Sequence, residues 1–289
     1  MDTCNKINDY FKQIGYKCTV LGLPKTVDND LVETDHCPGY GSAAKIVSTI
    51  MAEVYHDTSV YKKGRVTIVE IMGRDAGWLT AATHLANVYN NGPDLIYLPE
   101  SSFDMDKFLE DVKNLYDKKK KVLVAVSEGI KDKNGEYILN YQNSSEGDAF
   151  GHLHLGGVAL VLSNTVSQKL KLPVRAIELN LPQRCAAHLA SLTDVNEAFK
   201  CGSFGVKSAL KYKTGYMIAM ERVANYKIKF VLKPLNLIAE QVKPFPTKWI
   251  IDENKISDEY LDYVLPLIKG ESYPKYINGL PVFAKIDKH

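Results

Sequence analysis

The feature that most constrains the fold of this chain is a regular alternation of short apolar segments with longer amphipathic ones. Four short segments rich in apolar and β-branched residues are predicted to be strands: 66–71, 95–98, 122–126 and 174–179. Three longer segments are predicted to be helices: 41–55, 105–116 and 157–170. Apolar strands between amphipathic helices indicate parallel sheets with helices on both faces. The predicted fold class is therefore α/β, of the Rossmann type.

The N-terminus departs from the usual form of such a fold. The first fourteen residues place apolar side chains on one helix face, and Cys18–Leu21 form a short β-rich run. A doubly wound domain ordinarily opens with a strand and a glycine-rich phosphate loop, which residues 1–20 do not contain. We therefore expect the chain to be a fragment in which the first domain is truncated at its front.

The length of 289 residues predicts about two domains. We divide the chain into 1–60, the remainder of a first domain, 61–220, a second Rossmann-like domain, and 221–289, a C-terminal extension of mixed structure that packs on both. The last boundary rests on a change of pattern, because an alternating segment near Tyr226 is followed by three prolines between positions 234 and 246.

The composition excludes several classes of protein. The balance of 36 Lys and Arg against 34 Asp and Glu lacks the basic excess of most nucleic-acid-binding proteins. No segment approaches the roughly 20 apolar residues that span a bilayer, and the N-terminus is polar where a signal peptide is apolar. The five cysteines show no CxxC spacing, which argues against a disulfide framework and a structural zinc site. We predict a cytoplasmic protein with no nucleic-acid or membrane partner.

The first candidate site is the loop 24–30, with the sequence PKTVDND, which directly follows the first β-rich run. It therefore lies at the carboxyl end of a strand, the edge where open α/β sheets bind ligands. Lys25 suits a phosphate, and Asp28 and Asp30 suit proton transfer and the placement of charge. Because Asp-Asn-Asp is also common turn material, the loop by itself leaves a turn and a catalytic site equally open.

Three further motifs lie at predicted strand ends. The motif MGR at 72–74 combines a glycine with Arg74, whose planar guanidinium fits a phosphate, although Arg74 could instead pair with a neighbouring carboxylate. Glu128 follows a fully apolar strand, and Arg175 and Arg184 lie in the last predicted strand and its exit loop. Cationic groups at several strand ends indicate a phosphorylated substrate.

The order of these motifs resembles that of the phosphofructokinase family, most closely its pyrophosphate-dependent branch. The matching elements, in chain order, are PKTVDND, Arg65, Met72-Gly73-Arg74, Glu128, Arg175 and Arg184. The resemblance covers most of the chain and implies the two-domain architecture of that family. In this architecture 1–60 is what remains of the domain that binds donor and substrate, and 61–220 is the domain that binds fructose 6-phosphate.

The resemblance gives catalytic roles to the loop 24–30. It implies that Asp28 is the general base that takes the proton from the C1 hydroxyl of fructose 6-phosphate. Asp30 supports this base, and Thr26 matches a hydroxyl that contacts the substrate. Lys25 matches a lysine of the pyrophosphate-using members and is assigned to the phosphate donor.

Other matches imply contacts to the sugar and to a second subunit. Met72, Gly73 and Arg74 match residues that contact the sugar and the transition state. Glu128 matches the carboxylate that holds the sugar hydroxyls. Arg65 matches an arginine that reaches into the neighbouring subunit's site, which implies a homo-oligomer with shared sites.

The last motif is assigned to the 6-phosphate. Arg175 and Arg184 match arginines that grip this phosphate, and Leu181 and Gln183 lie in the same loop as Arg184 and are also assigned to the substrate. Leu181 stands where the family usually has a histidine. One contact to the 6-phosphate or the sugar is therefore absent or supplied differently.

The implied reaction belongs to glycolysis: pyrophosphate, with Mg²⁺, phosphorylates fructose 6-phosphate at its C1 hydroxyl to give fructose 1,6-bisphosphate. ATP is an alternative donor, because some ATP-dependent 6-phosphofructokinases also carry PKT. A non-catalytic regulatory module that binds sugar phosphate is a second alternative. The family's glycine-rich donor loop and its magnesium-linked aspartate precede the region present here. We therefore expect no metal ligand within this chain and no phosphotransfer by this chain alone.

Overall fold

The computed structural model describes residues 1–141, 157–223, 226–283 and 285. The α-helices are α1 (Asp2–Gln13), α2 (Tyr40–Ser59), α3 (Trp78–Ala82), α4 (Met105–Lys119), α5 (Val158–Leu170), α6 (Leu192–Ala209) and α7 (Glu259–Val264). The longer strands are β2 (Arg65–Ile71), β3 (Leu95–Tyr97), β4 (Lys121–Ser127), β5 (Val174–Glu178), β6 (Tyr216–Val223) and β7 (Lys227–Pro234). The two-residue strands are β1 (Leu21–Gly22), β8 (Ile250–Ile251), β9 (Lys255–Ile256), β10 (Tyr276–Ile277) and β11 (Leu280–Pro281).

Short 3₁₀ helices connect several of these elements. They cover Thr83–Tyr89, Ile138–Tyr141, Leu181–Arg184, Ala187–Leu189, Leu235–Leu237, Thr247–Trp249 and Leu265–Ile268. None of the helices in the described ranges combines the length and the apolar character needed to cross a membrane.

The central sheet is parallel and contains the four segments predicted as apolar strands, in the order β3-β4-β2-β5. Side chains alternate across it because successive residues of a strand point to opposite faces. Val66 and Ile68 of β2 pack in a cluster with residues of α4 and α5, whereas Val69 and Ile71 pack in a cluster with residues of α2 and α3. Both faces are therefore covered by helices, as the continuous apolar strands predict.

A second, smaller sheet has the order β1-β6-β7. Strand β6 is parallel to β1 and antiparallel to β7. The predicted domain boundary at 220/221 falls inside β6. The small sheet therefore contains residues of all three predicted parts: β1 from 1–60, the start of β6 from 61–220, and the end of β6 with β7 from 221–289. The division into three parts stays a prediction.

The C-terminal part packs against the helices that cover the central sheet. Phe245, Tyr260 and Leu267 are buried in the same cluster as Tyr40 of α2 and Trp78 of α3. The hydroxyl groups of Tyr40 and Tyr260 are 2.5 Å apart. The segment that follows β7 also contacts the loop that carries the first candidate site, because Lys243 N donates to Asp30 O over 2.7 Å.

Candidate active site

The ends of β2 and β4 lie side by side, because the parallel register pairs Ile71 with Ser127. The two loops that follow are joined by hydrogen bonds. Glu128 N donates to Ile71 O over 3.1 Å, Gly73 N donates to Glu128 Oε1 over 3.3 Å, and the Ser127 hydroxyl donates to Gly73 O. The predicted motifs at 72–74 and at Glu128 therefore form one structural unit.

Gly129 allows the two loops to approach this closely. A Cβ atom at position 129 would lie 1.8 Å from the carbonyl oxygen of Arg74. Only glycine fits such an approach, because no other residue lacks a Cβ. Sequence reasoning missed Gly129 as a functional residue, and its place directly after Glu128 was the available signal.

A cleft of about 320 Å³ opens at this edge of the sheet. Its lining residues are Asp28, Asp30, Met72, Arg74, Asp75, Ala76 and Glu128. The structure thus brings together side chains from the loop 24–30, from the loop after β2 and from the loop after β4. Sequence reasoning missed Asp75 and Ala76, which directly follow Arg74 in the chain.

The loop 24–30 presents its two carboxylates to the cleft. Asp28 N donates to the Thr26 hydroxyl over 3.1 Å, which fixes the turn before the carboxylates. Asn29, between them, is fully buried with a positive φ of 58°, a conformation that asparagine adopts more readily than most residues. The strained residue is held by its side chain, which accepts from Cys37 N over 3.0 Å and donates to the Tyr263 hydroxyl over 2.9 Å.

The cleft makes Asp28 a stronger base than an exposed aspartate. Burial raises the pKa of Asp28 and the neighbouring carboxylate of Asp30 adds to this rise, whereas Thr26, Arg184 and Arg74 oppose it. Burial likewise raises the pKa of Asp30 and the pKa of Glu128. A carboxylate with a raised pKa accepts a proton from a hydroxyl more readily, as general-base catalysis requires.

Positive charge in the cleft comes from Arg74. Its Nε atom is buried and has no hydrogen-bond partner among the described residues. A buried donor without a partner costs free energy, so this guanidinium is suited to an anionic or polar ligand. Arg184 is exposed at the end of the 3₁₀ helix Leu181–Arg184, close enough to lower the pKa of Asp28.

Gln183 and Leu181 have different surroundings in that helix. Gln183 is fully buried, and its Oε1 accepts from Met72 N over 3.1 Å, so it holds the main chain of the MGR motif. Leu181 is 55% exposed. Lys25 is exposed as well, and its assignment to the phosphate donor stays a prediction.

The structure does not bring Arg175 to this cleft. Arg175 is the second residue of β5, is paired in register with Thr67, and lies 3.2 Å from the carboxylate of Asp57. Arg65 begins the neighbouring strand β2, and its guanidinium stacks 3.7 Å from the ring of Tyr61. The seven residues of β2 span about 20 Å, so Arg65 and Arg175 lie at the opposite end of the sheet from Arg74. The expected convergence of Asp28, Arg74, Glu128 and Arg175 within one chain therefore holds for the first three only.

A metal ion does not fit the residues that the structure describes. Within these ranges no group of three or more His, Cys, Asp or Glu side chains is placed to hold one. The carboxylates of the cleft can accept hydrogen bonds from the hydroxyl groups of a ligand, and the single guanidinium of Arg74 suits one anionic group.

The fold and the cleft together define an α/β protein with an acid–base site at the carboxyl ends of parallel strands, the usual ligand edge of such sheets. The family model for phosphofructokinase matches residues 1–191. The chain belongs to the phosphofructokinase family. This result confirms the resemblance on which the assignment of the motifs rests.

Curated relatives agree with the family match. The chain is 36% identical to the pyrophosphate--fructose 6-phosphate 1-phosphotransferase of Halomonas elongata, in an alignment that covers 100% of this chain and 70% of the relative. It is 37% identical to the protein of the same name from Xanthomonas campestris, over 99% and 69% of the two chains. A sulfofructose kinase from Alkalicoccus urumqiensis is 32% identical, over 92% and 69%.

A solved structure confirms the fold. The crystal structure of a pyrophosphate-dependent phosphofructokinase from Marinobacter aquaeolei superimposes with a TM-score of 0.85 at 35% identity. The superposition covers 98% of this chain and 69% of that one. The predicted α/β class and its phosphofructokinase-type architecture are confirmed.

Proposed function

We propose that this protein transfers a phosphoryl group from pyrophosphate to the C1 hydroxyl of fructose 6-phosphate. The observation that carries the proposal is the cleft in which Asp28, Arg74 and Glu128 converge from three separate loops. The names of the relatives in Halomonas elongata and Xanthomonas campestris support the same donor and acceptor. The proposed reaction is that of an enzyme of glycolysis.

The charged residues Asp28, Asp30, Arg74 and Glu128 of the cleft have distinct roles in this reaction. Asp28 accepts the proton of the attacking hydroxyl. The Thr26 hydroxyl accepts from Asp28 N and so fixes this turn, and burial together with the neighbouring carboxylate of Asp30 raises the pKa of Asp28. Arg74 neutralises charge on the phosphoryl group in transfer, which is the main demand of this chemistry. Glu128, fixed by Gly73 N, accepts hydrogen bonds from the sugar hydroxyls.

We propose that the phosphoryl donor is the magnesium complex of pyrophosphate. The described residues include no group of three or more His, Cys, Asp or Glu side chains placed to hold this Mg²⁺. Lys25, exposed at the start of the loop 24–30, is proposed to contact the donor phosphates. A cytoplasmic location also belongs to this proposal.

We extend the proposal to a homo-oligomer with shared sites. The cleft carries four carboxylates and one arginine, a poor balance for a substrate with a 6-phosphate. Arg65 and Arg175 lie on adjacent strands at the far end of the sheet, with Arg175 paired in register with Thr67, two residues after Arg65. We propose that both arginines, rather than Arg65 alone, reach the 6-phosphate bound by a second subunit, while Arg184 contacts it from the same chain.

Mixing two variants tests the shared site. We expect Arg65→Ala to raise the KM for fructose 6-phosphate by about 10- to 100-fold, the worth of one hydrogen bond between charged groups. Asp28→Asn removes the base. When equal amounts of the two variants are mixed by mild denaturation and refolding, about half of the dimers are hybrids and about a quarter of all sites regain both groups, if a symmetric dimer shares its sites. Activity that stays at the sum of the two separate variants would contradict the shared site.

The reaction is tested with the protein, fructose 6-phosphate and Mg²⁺ in a coupled assay that compares pyrophosphate with ATP. Calorimetric titration of fructose 6-phosphate tests the acceptor site independently of turnover. We expect binding that Arg74→Ala weakens, and turnover with pyrophosphate rather than ATP wherever turnover occurs. Turnover by the 289-residue chain alone would contradict the expectation that it is inactive, while supporting the reaction.

The other outcomes distinguish the alternatives. Turnover with ATP alone would establish an ATP-dependent enzyme. Binding without turnover is expected of this chain alone under both readings, whereas turnover from either donor would exclude the non-catalytic sugar-phosphate-binding module. Sulfofructose serves as a competing acceptor, because one relative is a sulfofructose kinase and Leu181 replaces the histidine expected in the phosphate-binding loop. Absence of both binding and turnover with fructose 6-phosphate would overturn the proposed function.

A further inference from the structure

The loop that carries Asp28 and Asp30 is held by residues from the C-terminal part of the chain. We define the acceptor loop as residues 28–35. Lys243 donates from its backbone N to Asp30 O over 2.7 Å. Its Nζ donates to Thr34 O over 3.1 Å and to Asp35 O over 2.9 Å. One residue thus contacts the acceptor loop at both of its ends.

The three neighbours of Lys243 Nζ are all hydrogen-bond acceptors, as the three donors of a charged lysine require. Besides the two carbonyl oxygens, Nζ lies 3.5 Å from Asn29 Oδ1, and this oxygen is identified because it accepts from the backbone N of Cys37. An ammonium group has three donors and no acceptor, and all three of its neighbours here are acceptors. Burial lowers the pKa of Lys243, and the carboxylates of Asp35 and Asp30 oppose this change.

The position of Lys243 is itself fixed from the opposite side. Its Nζ lies 4.9 Å from the ring centre of Trp78, and its carbonyl oxygen accepts from Trp78 Nε1 over 2.9 Å. Two residues further on, Phe245 N donates to the buried carboxylate of Glu100. The contacts with Trp78 and Glu100 therefore fix the position of Lys243, and Lys243 in turn fixes the acceptor loop through its hydrogen bonds.

Two other C-terminal residues support the same loop. The Tyr263 hydroxyl donates to Asp35 O over 2.8 Å, and Arg222 pairs with the Asp35 carboxylate over 2.9 Å. Neither reaches Asp30. Lys243, Tyr263 and Arg222 all follow residue 191, where the match to the family model ends.

We propose that Lys243 is a positioning residue that orients Asp28 and Asp30 by holding the acceptor loop at Asp30, Thr34 and Asp35. The proposal rests on the proposed function only for the role of Asp28 as base. The claim that Lys243 holds the loop depends only on its hydrogen bonds to Asp30, Thr34 and Asp35. Lys243 does not line the cleft and acts through the loop rather than on the substrate.

Hydrogen exchange, followed by mass spectrometry, tests the holding of the loop in the whole chain. In Lys243→Met, which keeps the aliphatic stem beside Trp78, we expect the amides of 28–37 to exchange about 10-fold faster or more, the worth of a hydrogen bond to a charged group. Lys243→Arg keeps the charge and is expected to restore most of the protection. Lys248→Met is the matched control, because Lys248 is an exposed lysine of the same segment, 5.2 Å from the ring of Trp249.

Kinetics separate positioning from a general structural role. In any form of the protein that shows turnover, Lys243→Met is expected to lower kcat by about 10-fold or more with a smaller change in the KM for fructose 6-phosphate, and Lys243→Arg is expected to recover kcat. Faster exchange throughout the chain, or unchanged exchange in 28–37, would overturn the proposal. So would a change in KM alone. If fructose 6-phosphate fails to bind the unaltered chain, the proposed function fails, whereas the exchange result still decides whether Lys243 holds the loop.

Discussion

In any form of the protein that shows turnover, replacement of Asp28 by alanine is expected to lower this turnover by about 10²- to 10⁴-fold, the usual contribution of a general base. The affinity for fructose 6-phosphate is expected to change little, because Arg74 and Glu128 remain in the cleft. The measurement is the initial rate with pyrophosphate, together with calorimetric binding of the sugar phosphate. Unchanged turnover would remove Asp28 from its assigned role.

Asp28→Asn separates the charge of this residue from its shape. Asparagine keeps the volume of the side chain, so a similar loss of turnover in both variants assigns the effect to the lost base. The pH profile gives a second check. Because the pKa of Asp28 is raised by burial and by Asp30, the base is protonated as pH falls through this raised value. The acid limb of the rate profile is therefore expected above the ordinary aspartate value of 3.8 and absent from the residual activity of Asp28→Asn.

Replacement of Gly129 by alanine is expected to lower both stability and turnover. The added Cβ would lie 1.8 Å from Arg74 O and 2.6 Å from Arg74 C, and both neighbours are backbone atoms that cannot rotate away. Such overpacking costs about 1–3 kcal/mol of unfolding free energy. A displacement of Arg74 by about 1 Å is expected to lower turnover by about 10²-fold. Urea denaturation and the coupled assay measure the two effects.

Gly202→Ala is the matched control for this substitution. Gly202 lies within α6, and no atom lies within 4 Å of the position of its added Cβ. Alanine in a helix interior is favoured over glycine by up to about 1 kcal/mol, so this variant is expected to be as stable as the parent or more so. If Gly129→Ala matches Gly202→Ala in stability and rate, the close approach of the two loops has no functional consequence.

The two ends of the central sheet show how far the sequence could be interpreted. The strands were predictable because each is a short apolar run between amphipathic segments, and parallel strands place all their carboxyl ends at one edge. The motifs after β2 and β4 could therefore be expected to meet. Arg175 was assigned to the same place, although it is the second residue of β5 and lies near the start of that strand. Arg184 follows the end of that strand, so the two arginines lie at different ends of β5.

The residues that hold the cleft together were harder to predict. Gln183 was assigned to the substrate, and the structure shows it buried behind Met72. Lys243 carries no motif, and the alternation of apolar residues says nothing about which distant carbonyl oxygens a lysine will reach. Local patterns identify elements and their order, but contacts between distant segments depend on how those elements pack.

The sequence by itself determined the α/β class, the strands of the central sheet and the acidic and basic groups at their ends, because hydrophobic period and turn chemistry act over a few residues. Tertiary structure alone decided three further features. It placed Arg65 and Arg175 at the far end of the sheet, it brought Gly129 against Arg74, and it anchored the acceptor loop to Lys243. These features depend on strand register and on packing between segments far apart in the chain, which local side-chain patterns do not encode.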